Sequence, residues 1–261
     1  MSPDDAWGAG DYRRIADQFL PAAQVLLDAV EATVGPLAGQ HVVDVAAGNG
    51  NVAVEALARG ATVLASDLSP RMVEFGRDRT HAAGDTVEWR VADAVALPLP
   101  DGATGIVTSA FGLIFVADPV AMVDEMARVL RPGGLLAFTS WRHEEGVDHP
   151  LAAPLMKRFP TSDGPSSDEW GVDDTVRERL APAFVDLQIT THSLELVFDS
   201  AEHCTDVFLG SSPMHVIAMA EIPEEEHAAI RREFIAGLLP FESAQGLRHR
   251  DDYLVVTARR S

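Results

Sequence analysis

A glycine-bearing turn follows the first apolar run of the chain and opens a helical pattern. The segment VVDVAAGNG contains Asp44, Gly48 and Gly50. Backbone N–H groups in such a turn can approach a ligand closely because glycine has no Cβ. The dinucleotide-binding fingerprint would place a third glycine where Asn51 stands. The turn therefore disfavours a pyrophosphate site of the NAD type and fits a smaller ligand.

Two further carboxylates stand at the ends of the next two predicted strands. Asp67 follows Gly48 by nineteen residues, the place from which an acidic side chain accepts ribose hydroxyl protons in open α/β sheets. Asp93 ends the third strand, where it could accept a hydrogen bond from an adenine amino group while the Ala94 N–H faces a ring nitrogen. Aspartate is also common at strand ends and helix caps, so each acid alone has a structural alternative. Three such strand ends together predict a nucleoside site.

The elements that would position these residues alternate between strand and helix. A helical pattern over residues 11–34, interrupted by Pro21, comes first. Five short β-branched runs then predict strands: HVVDVAA, ATVLASD, VEWRVAD, GIVTSAF and LLAFTSW. Strands and helices at this spacing require crossover connections, and these predict a parallel sheet covered on both faces. The predicted fold class is a doubly wound α/β domain.

Local signals set the limits of the intervening helices. Ser69 with Pro70, and Asp118 with Pro119, each supply an N-cap followed by a first-turn proline. Gly84 and the pair Gly133 and Gly134 are predicted to close the same two helices.

The last third of the chain has a different pattern. A helix is predicted over residues 172–180, a long strand over 184–198 and a final strand in DYLVVTARR, with 161–169 as a surface loop. We expect one domain, made of leading helices (1–40), a ligand-binding core (41–141), a connection (142–198), a helical lid (199–250) and a terminal strand (251–261).

Composition excludes several classes of protein. Forty acidic residues against twenty basic ones give a net charge of -20, which opposes binding to nucleic acid. The single cysteine, Cys204, excludes an internal disulfide framework, and no spacing of potential ligands suggests a metal site. The sequence shows no secretion signal and no apolar span of membrane length. We therefore expect a cytoplasmic protein, monomeric or homodimeric, without membrane or nucleic-acid partners.

The motifs together resemble the class I S-adenosylmethionine-dependent methyltransferases, in particular the group that acts on small molecules. VVDVAAGNGNVAVEAL is similar to that family's first motif, SDLSPRMVEF to its second and VADAVALPLPDG to its third. DEMARVLRPGGLLAFTSW resembles the helix, turn and strand that close its core, and WGAGDYRRIA resembles its leading helix. Ala46 stands where the family usually has glycine, which would crowd the methionine end of the cofactor.

The resemblance implies a fold and a cofactor site. The sheet would be Rossmann-like with seven strands in the order 3-2-1-4-5-7-6, the last one antiparallel, and a helical lid between strands 6 and 7 would roof the acceptor pocket. The cofactor would be S-adenosyl-L-methionine, with S-adenosyl-L-homocysteine as product. The implied cofactor-binding residues are Trp7, Tyr12, Asp44, Ala46, Gly48, Gly50, Asp67, Leu68, Met72, Asp93, Ala94 and Ser109.

Acceptor chemistry is less constrained. After the fourth predicted strand the chain has SAFGLIFVADP, which differs from the Asn/Asp-Pro-Pro-aromatic signature of the family's nucleic-acid and amide N-methylating members. Phe111 and Trp141 could line an apolar or aromatic acceptor pocket with Met214 and His215. Five histidines are predicted on this side of the sheet: His143, His149, His203, His215 and His249. His215, inside SSPMHVIAM, is the candidate general base.

Three functions remain open at this point. The first is methyl transfer to oxygen, nitrogen or carbon of a small metabolite by in-line displacement. The second uses the same cofactor for cyclisation or intramolecular displacement, because one fold hosts many reactions. The third is a non-catalytic cofactor-binding module, which intact strand-end carboxylates and an elaborated lid disfavour.

Overall fold

The first half of the chain alternates strands and helices, as the apolar pattern predicts. The computed structural model describes residues 6–82, 87–142, 148–159 and 166–261. The elements of this half are α1 (Arg13–Ala16), α2 (Leu20–Val34), β1 (His41–Val45), α3 (Asn51–Ala58), β2 (Thr62–Asp67), α4 (Pro70–Ala82), β3 (Glu88–Val91), β4 (Thr104–Ala110), α5 (Pro119–Val129) and β5 (Leu130–Arg142).

The second half contributes two long strands with a group of helices between them. Its elements are α6 (Ala153–Met156), α7 (Asp173–Leu180), β6 (Phe184–Phe198), α8 (Ala201–Ser211), α9 (Pro213–Glu221), α10 (Glu224–Leu238), β7 (Glu242–Ser243) and β8 (Gly246–Arg260). We call α8, α9 and α10 the lid. None of the helices in the described part of the chain is long and apolar enough to cross a membrane.

The strands form one mixed sheet with the predicted topology. Its order is β3-β2-β1-β4-β5-β8-β6, and the short β7 pairs only with β8. Strands β1 to β5 pair in parallel, whereas β8 runs antiparallel to both β5 and β6. The seven-stranded order 3-2-1-4-5-7-6 is therefore confirmed, with one extra two-residue strand. Parallel strands bring the carboxyl ends of β1 to β4 to a single edge.

Two apolar cores cover the two faces of the sheet. One contains Leu26 of α2 and Ala53 of α3 and continues into the lid at Phe234. The other contains Met122 and Met126 of α5, which are four residues apart and therefore lie on one face of that helix. Burial of both faces stabilises a doubly wound sheet.

Some predicted element limits are wrong for local reasons. Pro21 lies in the first turn of α2 and so begins that helix rather than interrupting it. Helix α5 ends at Val129, and Gly133 lies inside β5, where the register with β4 shifts between Thr104 and Ile106. A bulge accommodates such a shift. The predicted end of α4 at Gly84 lies outside the described residues.

The terminal strand is longer than the sequence pattern predicts. It begins at Gly246 rather than at residue 251, because the long β6 offers a pairing partner as far back as Phe198, opposite Leu247. The last α-helix of the insertion ends at Leu238 and a 3₁₀ turn (Leu239–Phe241) follows it, so the helical part ends before residue 250. The N-caps are confirmed at Ser69, whose Oγ accepts from the Met72 N–H, and at Asp118, whose Oδ1 accepts from the Val120 N–H.

Candidate functional site

The exits of β1 and β2 meet at the carboxylate of Asp67. Its Oδ2 accepts the Gly48 N–H at 2.8 Å and its Oδ1 accepts the Ser69 N–H at 2.9 Å. Burial raises the pKa of this carboxyl, and the two N–H groups partly offset that effect. The Ala92 N–H donates to the Asp67 carbonyl, so the exit of β3 lies beside the same group. The predicted strand ends therefore share one edge, which we call the rim (Asp44, Gly48, Asp67 and Asp93).

The loop after β3 exposes Asp93 to solvent and is held in place by hydrogen bonds with residues of α5. Asp93 is exposed, with Oδ1 accepting the Val95 N–H at 3.1 Å, whereas Ala94 is buried. On α5, Glu125 accepts the Leu97 N–H, and Arg128 donates to the Leu97 carbonyl. Our sequence reasoning missed these two supporting residues, although their i,i+3 spacing of opposite charges is typical of paired residues on one helix face.

Asp44 is a buried acid with one unused oxygen. It is 1% exposed, and its Oδ1 accepts from the hydroxyl of Thr108 at 3.1 Å. Its Oδ2 is buried and has no hydrogen-bond partner among the described residues. Burial raises the pKa of Asp44 to about 8; the Thr108 hydrogen bond opposes this shift and the nearby charge of Asp67 adds to it. The rim thus contains a carboxyl group that can accept a hydrogen bond from a ligand or form an ion pair with a positively charged one.

The turn after β1 fits closely against the turn after β4. Ala46 has a left-handed backbone with φ of 52°, a conformation that glycine adopts without strain and other residues rarely adopt. Its Cβ is accommodated because Gly112 lies opposite, where an added Cβ would overlap the carbonyl oxygen and Cβ of Ala46. The Oγ of Ser109 accepts the Leu113 N–H at 3.1 Å, so Ser109 shapes this second turn.

Residues 6–20, which we call the leading segment, lie over the rim. The ring of Tyr12 covers Gly48, since a Cβ built there would be 3.6 Å from Tyr12 Cε1. Burial, together with the charge of Asp67, raises the pKa of the Tyr12 hydroxyl. Trp7 contacts Phe115 with ring centroids 5.0 Å apart. Both aromatic residues predicted from the leading helix thus lie against the exits of the strands.

The other predicted rim residues lie between the turns and α4. Leu68 is partly buried and Met72 is buried at the start of α4. Gly50 has φ of 88° and precedes α3; a Cβ there would lie 2.9 Å from the ring of Trp89. Gly50 therefore allows Trp89 to pack beneath the turn.

An aromatic cluster continues the rim toward the lid. The rings of Phe111 and Trp141 stack with centroids 3.9 Å apart and an angle of 9° between their planes. Tyr253 meets Phe111 edge to face at 5.6 Å, and Phe19 meets Trp141 at 5.9 Å. We call these four residues the aromatic wall. It brings together two predicted pocket residues and adds Phe19 and Tyr253, which sequence reasoning did not select.

His215 is a packed residue of the lid. The carbonyl of Leu151 lies 2.6 Å from its Nε2, which must carry the proton because a carbonyl only accepts; its Nδ1 then accepts from the Ser212 hydroxyl at 2.8 Å. Burial lowers the pKa of the imidazole. Both ring nitrogens therefore have protein partners. The neighbouring Met214 is 49% exposed and lies outside the aromatic wall.

Two other histidines converge on one carboxylate. Oδ1 of Asp251 lies 2.7 Å from Nε2 of His149 and 2.8 Å from Nε2 of His249. Burial alone would raise the pKa of Asp251, but the bonds to both imidazoles hold it well below its usual range. We call these residues the histidine cluster. Sequence reasoning placed both histidines on this side of the sheet but missed Asp251; the alternation His249-Arg250-Asp251 within a strand was the available signal.

Among the described residues, His203 is a predicted histidine of this side that lies apart from the cluster. His203 is exposed on α8 and pairs with Asp199 at 3.1 Å, and His143 lies outside the described residues.

A surface groove lies far from these groups. It has a volume of about 710 Å³ and lies beside α2, β6 and β8, with Thr33, Asp186 and Arg259 in its lining. These residues stand at the amino end of the parallel strands, opposite the rim. The groove is therefore separate from the candidate site.

Sequence comparisons find relatives over most of the chain. A family described as "Methyltransferase domain" matches residues 43–138. An uncharacterized protein of Mycobacterium tuberculosis, Rv1405c, is 35% identical over 219 residues, which are 83% of this chain and 78% of that protein. A demethylmenaquinone methyltransferase of Clavibacter sepedonicus is 44% identical over 110 residues, which are 42% of this chain and 44% of its own.

Solved structures share the fold at low sequence identity. A geranyl diphosphate methyltransferase, crystallised with its diphosphate ligand and sinefungin, aligns over 92% of this chain and 78% of its own with a TM-score of 0.55 and 21% identity. The [4+2]-cyclase SpnF aligns over 90% of this chain and 80% of its own, also with a TM-score of 0.55 and 21% identity.

Proposed function

Because the chain belongs to the class I S-adenosylmethionine-dependent methyltransferases, we propose that it methylates a small apolar or aromatic metabolite. The observation that carries this proposal is the aromatic wall, which continues directly from the rim: Phe111 follows β4 and stacks on Trp141 at the end of β5. The demethylmenaquinone methyltransferase among the relatives supports an acceptor of this class.

The rim fits the cofactor that this family uses. Asp67, held by two backbone N–H groups, retains lone pairs for ribose hydroxyls, and Asp93 with the Ala94 N–H would meet the adenine edge. Oδ2 of Asp44, which has no hydrogen-bond partner in the described ranges, would accept a hydrogen bond from the positively charged methionine end. Leu68 and Met72 would pack beside the adenine. Trp7, Tyr12, Ala46, Gly48, Gly50 and Ser109 would shape or cover the remainder of the site.

Positioning carries most of the proposed catalysis. When bound, the cofactor supplies a methyl group already activated by positively charged sulfur. The aromatic wall orients the acceptor, and orientation of this kind contributes up to ~7–11 kcal/mol. The faces of Phe111 and Trp141 also favour a neighbouring cation. The leading segment and the lid exclude water from above.

We propose a packing role for His215. Its two hydrogen bonds leave no free lone pair for a proton, and they join α9 to the segment that carries Leu151. We propose that His215 and Met214 act on the shape of the lid and that neither touches the acceptor.

Binding and product analysis test the function. We expect calorimetry to show binding of S-adenosyl-L-homocysteine. Turnover of S-adenosyl-L-methionine with a panel of phenols, hydroquinones and amines should release S-adenosyl-L-homocysteine as product. Methylthioadenosine instead would indicate intramolecular displacement. Binding without any turnover on the panel would favour a cofactor-binding module, and absence of binding would contradict the proposal.

A further inference from the structure

We propose that the histidine cluster is the proton-accepting group of the acceptor site, with Nδ1 of His249 as the atom that receives the proton. This inference rests on the proposed function, because it identifies the acceptor as a hydroxyl compound. The geometry that carries it is one carboxylate oxygen shared by two imidazoles, on the residue that lies two positions along β8 from Tyr253 of the aromatic wall.

The tautomer of each ring follows from its partners. The Leu151 N–H points at Nδ1 of His149 at 3.3 Å, so that nitrogen accepts and the Nε2 proton is donated to Asp251. Asp251 also takes the Nε2 proton of His249. Nδ1 of His249 therefore carries no proton and has a free lone pair. This nitrogen is buried, and no described residue forms a hydrogen bond with it. An aspartate that fixes one nitrogen of a histidine leaves the other as a base.

The cluster lies close to the aromatic wall. Asp251 and Tyr253 are two residues apart on β8 and share a face, which sets them roughly 7 Å apart along the strand. Tyr253 contacts Phe111, and the ring of Phe241 lies 4.5 Å from that of His249. Within the described part of the chain, the titratable groups facing Asp251 are the two histidines and, from α8, Cys204, whose pKa is raised to about 12 by burial and by the charge of Asp251.

The proposed step balances in protons and electrons. A hydroxyl of the acceptor gives its proton to Nδ1 of His249, and the electron pair of the O–H bond stays on the acceptor. That pair forms the new bond to the methyl carbon, while the pair of the methyl–sulfur bond stays on sulfur. The carboxylate of Asp251, a positioning residue, stabilises the imidazolium that results.

The histidine cluster could also bind a metal ion, since His149, His249 and Asp251 each offer a ligand atom within 4.8 Å of the others. A metal bound at both Nε2 atoms would require a proton on each Nδ1. Nδ1 of His149, however, faces the Leu151 N–H and accepts from it. The arrangement therefore favours proton transfer over metal binding.

Histidine NMR tests the assignment without turnover. Protein labelled with ¹⁵N-histidine and saturated with S-adenosyl-L-homocysteine is measured at about pH 9, then titrated with 1,4-dihydroxynaphthalene to its solubility limit. We expect His249 to show an unprotonated Nδ1 that shifts as the probe is added. A protonated Nδ1, or no shift at the solubility limit, overturns the proposal. Tighter binding of Zn²⁺ than of the probe, with both clustered histidines as ligands, overturns it as well.

Variants separate this proposal from the function it rests on. His249→Gln and His249→Phe should each weaken binding of the naphthalene probe by tenfold or more while leaving affinity for S-adenosyl-L-homocysteine within about twofold. His203→Gln, which alters an exposed lid histidine paired with an aspartate, should change neither. If the wild-type protein does not bind S-adenosyl-L-homocysteine, the methyltransferase proposal itself is refuted. If both His249 variants bind the probe as the wild type does, only the role of the histidine cluster is refuted.

Discussion

The backbone N–H of Gly48 donates to Oδ2 of Asp67 at 2.8 Å, and this bond between residues nineteen positions apart joins the exits of two neighbouring strands. This bond fixes the direction of the carboxylate before any ligand arrives. A preoriented acceptor reduces the ordering that binding requires.

Removal of this carboxylate should weaken cofactor binding. We predict that Asp67→Ala reduces affinity for S-adenosyl-L-homocysteine by about 1–3 kcal/mol, the cost of leaving buried hydroxyl donors unpaired. Calorimetry measures the change, and circular dichroism confirms that the variant is folded. Asp124→Ala, at an exposed position of α5, is the matched control and should bind normally. Equal affinity in the two variants would remove Asp67 from the site.

Asp44 should make cofactor affinity depend on pH. With its pKa raised to about 8, the carboxyl is mostly protonated at pH 7, and a positively charged ligand beside it favours the ionised form. Binding should therefore release a proton, and affinity should increase from pH 6 to about 8. The ratio of wild-type to Asp44→Asn affinity isolates this contribution from titration of the ligand's own amino group. A ratio that stays constant between pH 6 and 9 would contradict the role of Asp44.

The close contact between Ala46 and Gly112 should make the free energy of unfolding sensitive to a larger residue at position 112. Gly112→Ala is expected to lower the free energy of unfolding by about 1–3 kcal/mol, because the new methyl group overlaps Ala46. Ala46→Gly should be nearly neutral in stability, since relief of the left-handed strain offsets the greater freedom of the unfolded chain. Gly210→Ala is the control, because a Cβ there meets no other atom within 4 Å. Thermal and urea unfolding measure all three, and a Gly112→Ala protein as stable as the control would contradict the packing.

His215→Ala should affect stability more than binding. Loss of the hydrogen bonds to Leu151 and Ser212 in a buried setting is expected to cost about 1–3 kcal/mol. Affinity for S-adenosyl-L-homocysteine and the rate with any acceptor found in the panel should remain within a few fold. Met214→Ala, at the exposed adjacent position, should change neither stability nor rate. A loss of rate by a hundredfold or more in His215→Ala would restore His215 as the general base.

The local sequence pattern was sufficient to predict the acidic residues at the strand ends and most of the helices and strands. Asp44, Asp67 and Asp93 follow apolar runs, and parallel topology then brings them to one edge. Element limits at Gly133 and Gly246 were misjudged because pairing with neighbouring strands extended β5 and β8 beyond their own local preference.

By itself, the sequence determined the doubly wound fold, the strand order carried by the family resemblance, and the acids at the rim, because periodicity and turn chemistry act over a few residues. Only the tertiary structure decided which histidines meet. His149 and Asp251 are 102 residues apart and come together through the antiparallel return of β8, and His215 is satisfied by a backbone carbonyl from a distant segment. Such contacts depend on packing between remote parts of the chain, which no local spacing records.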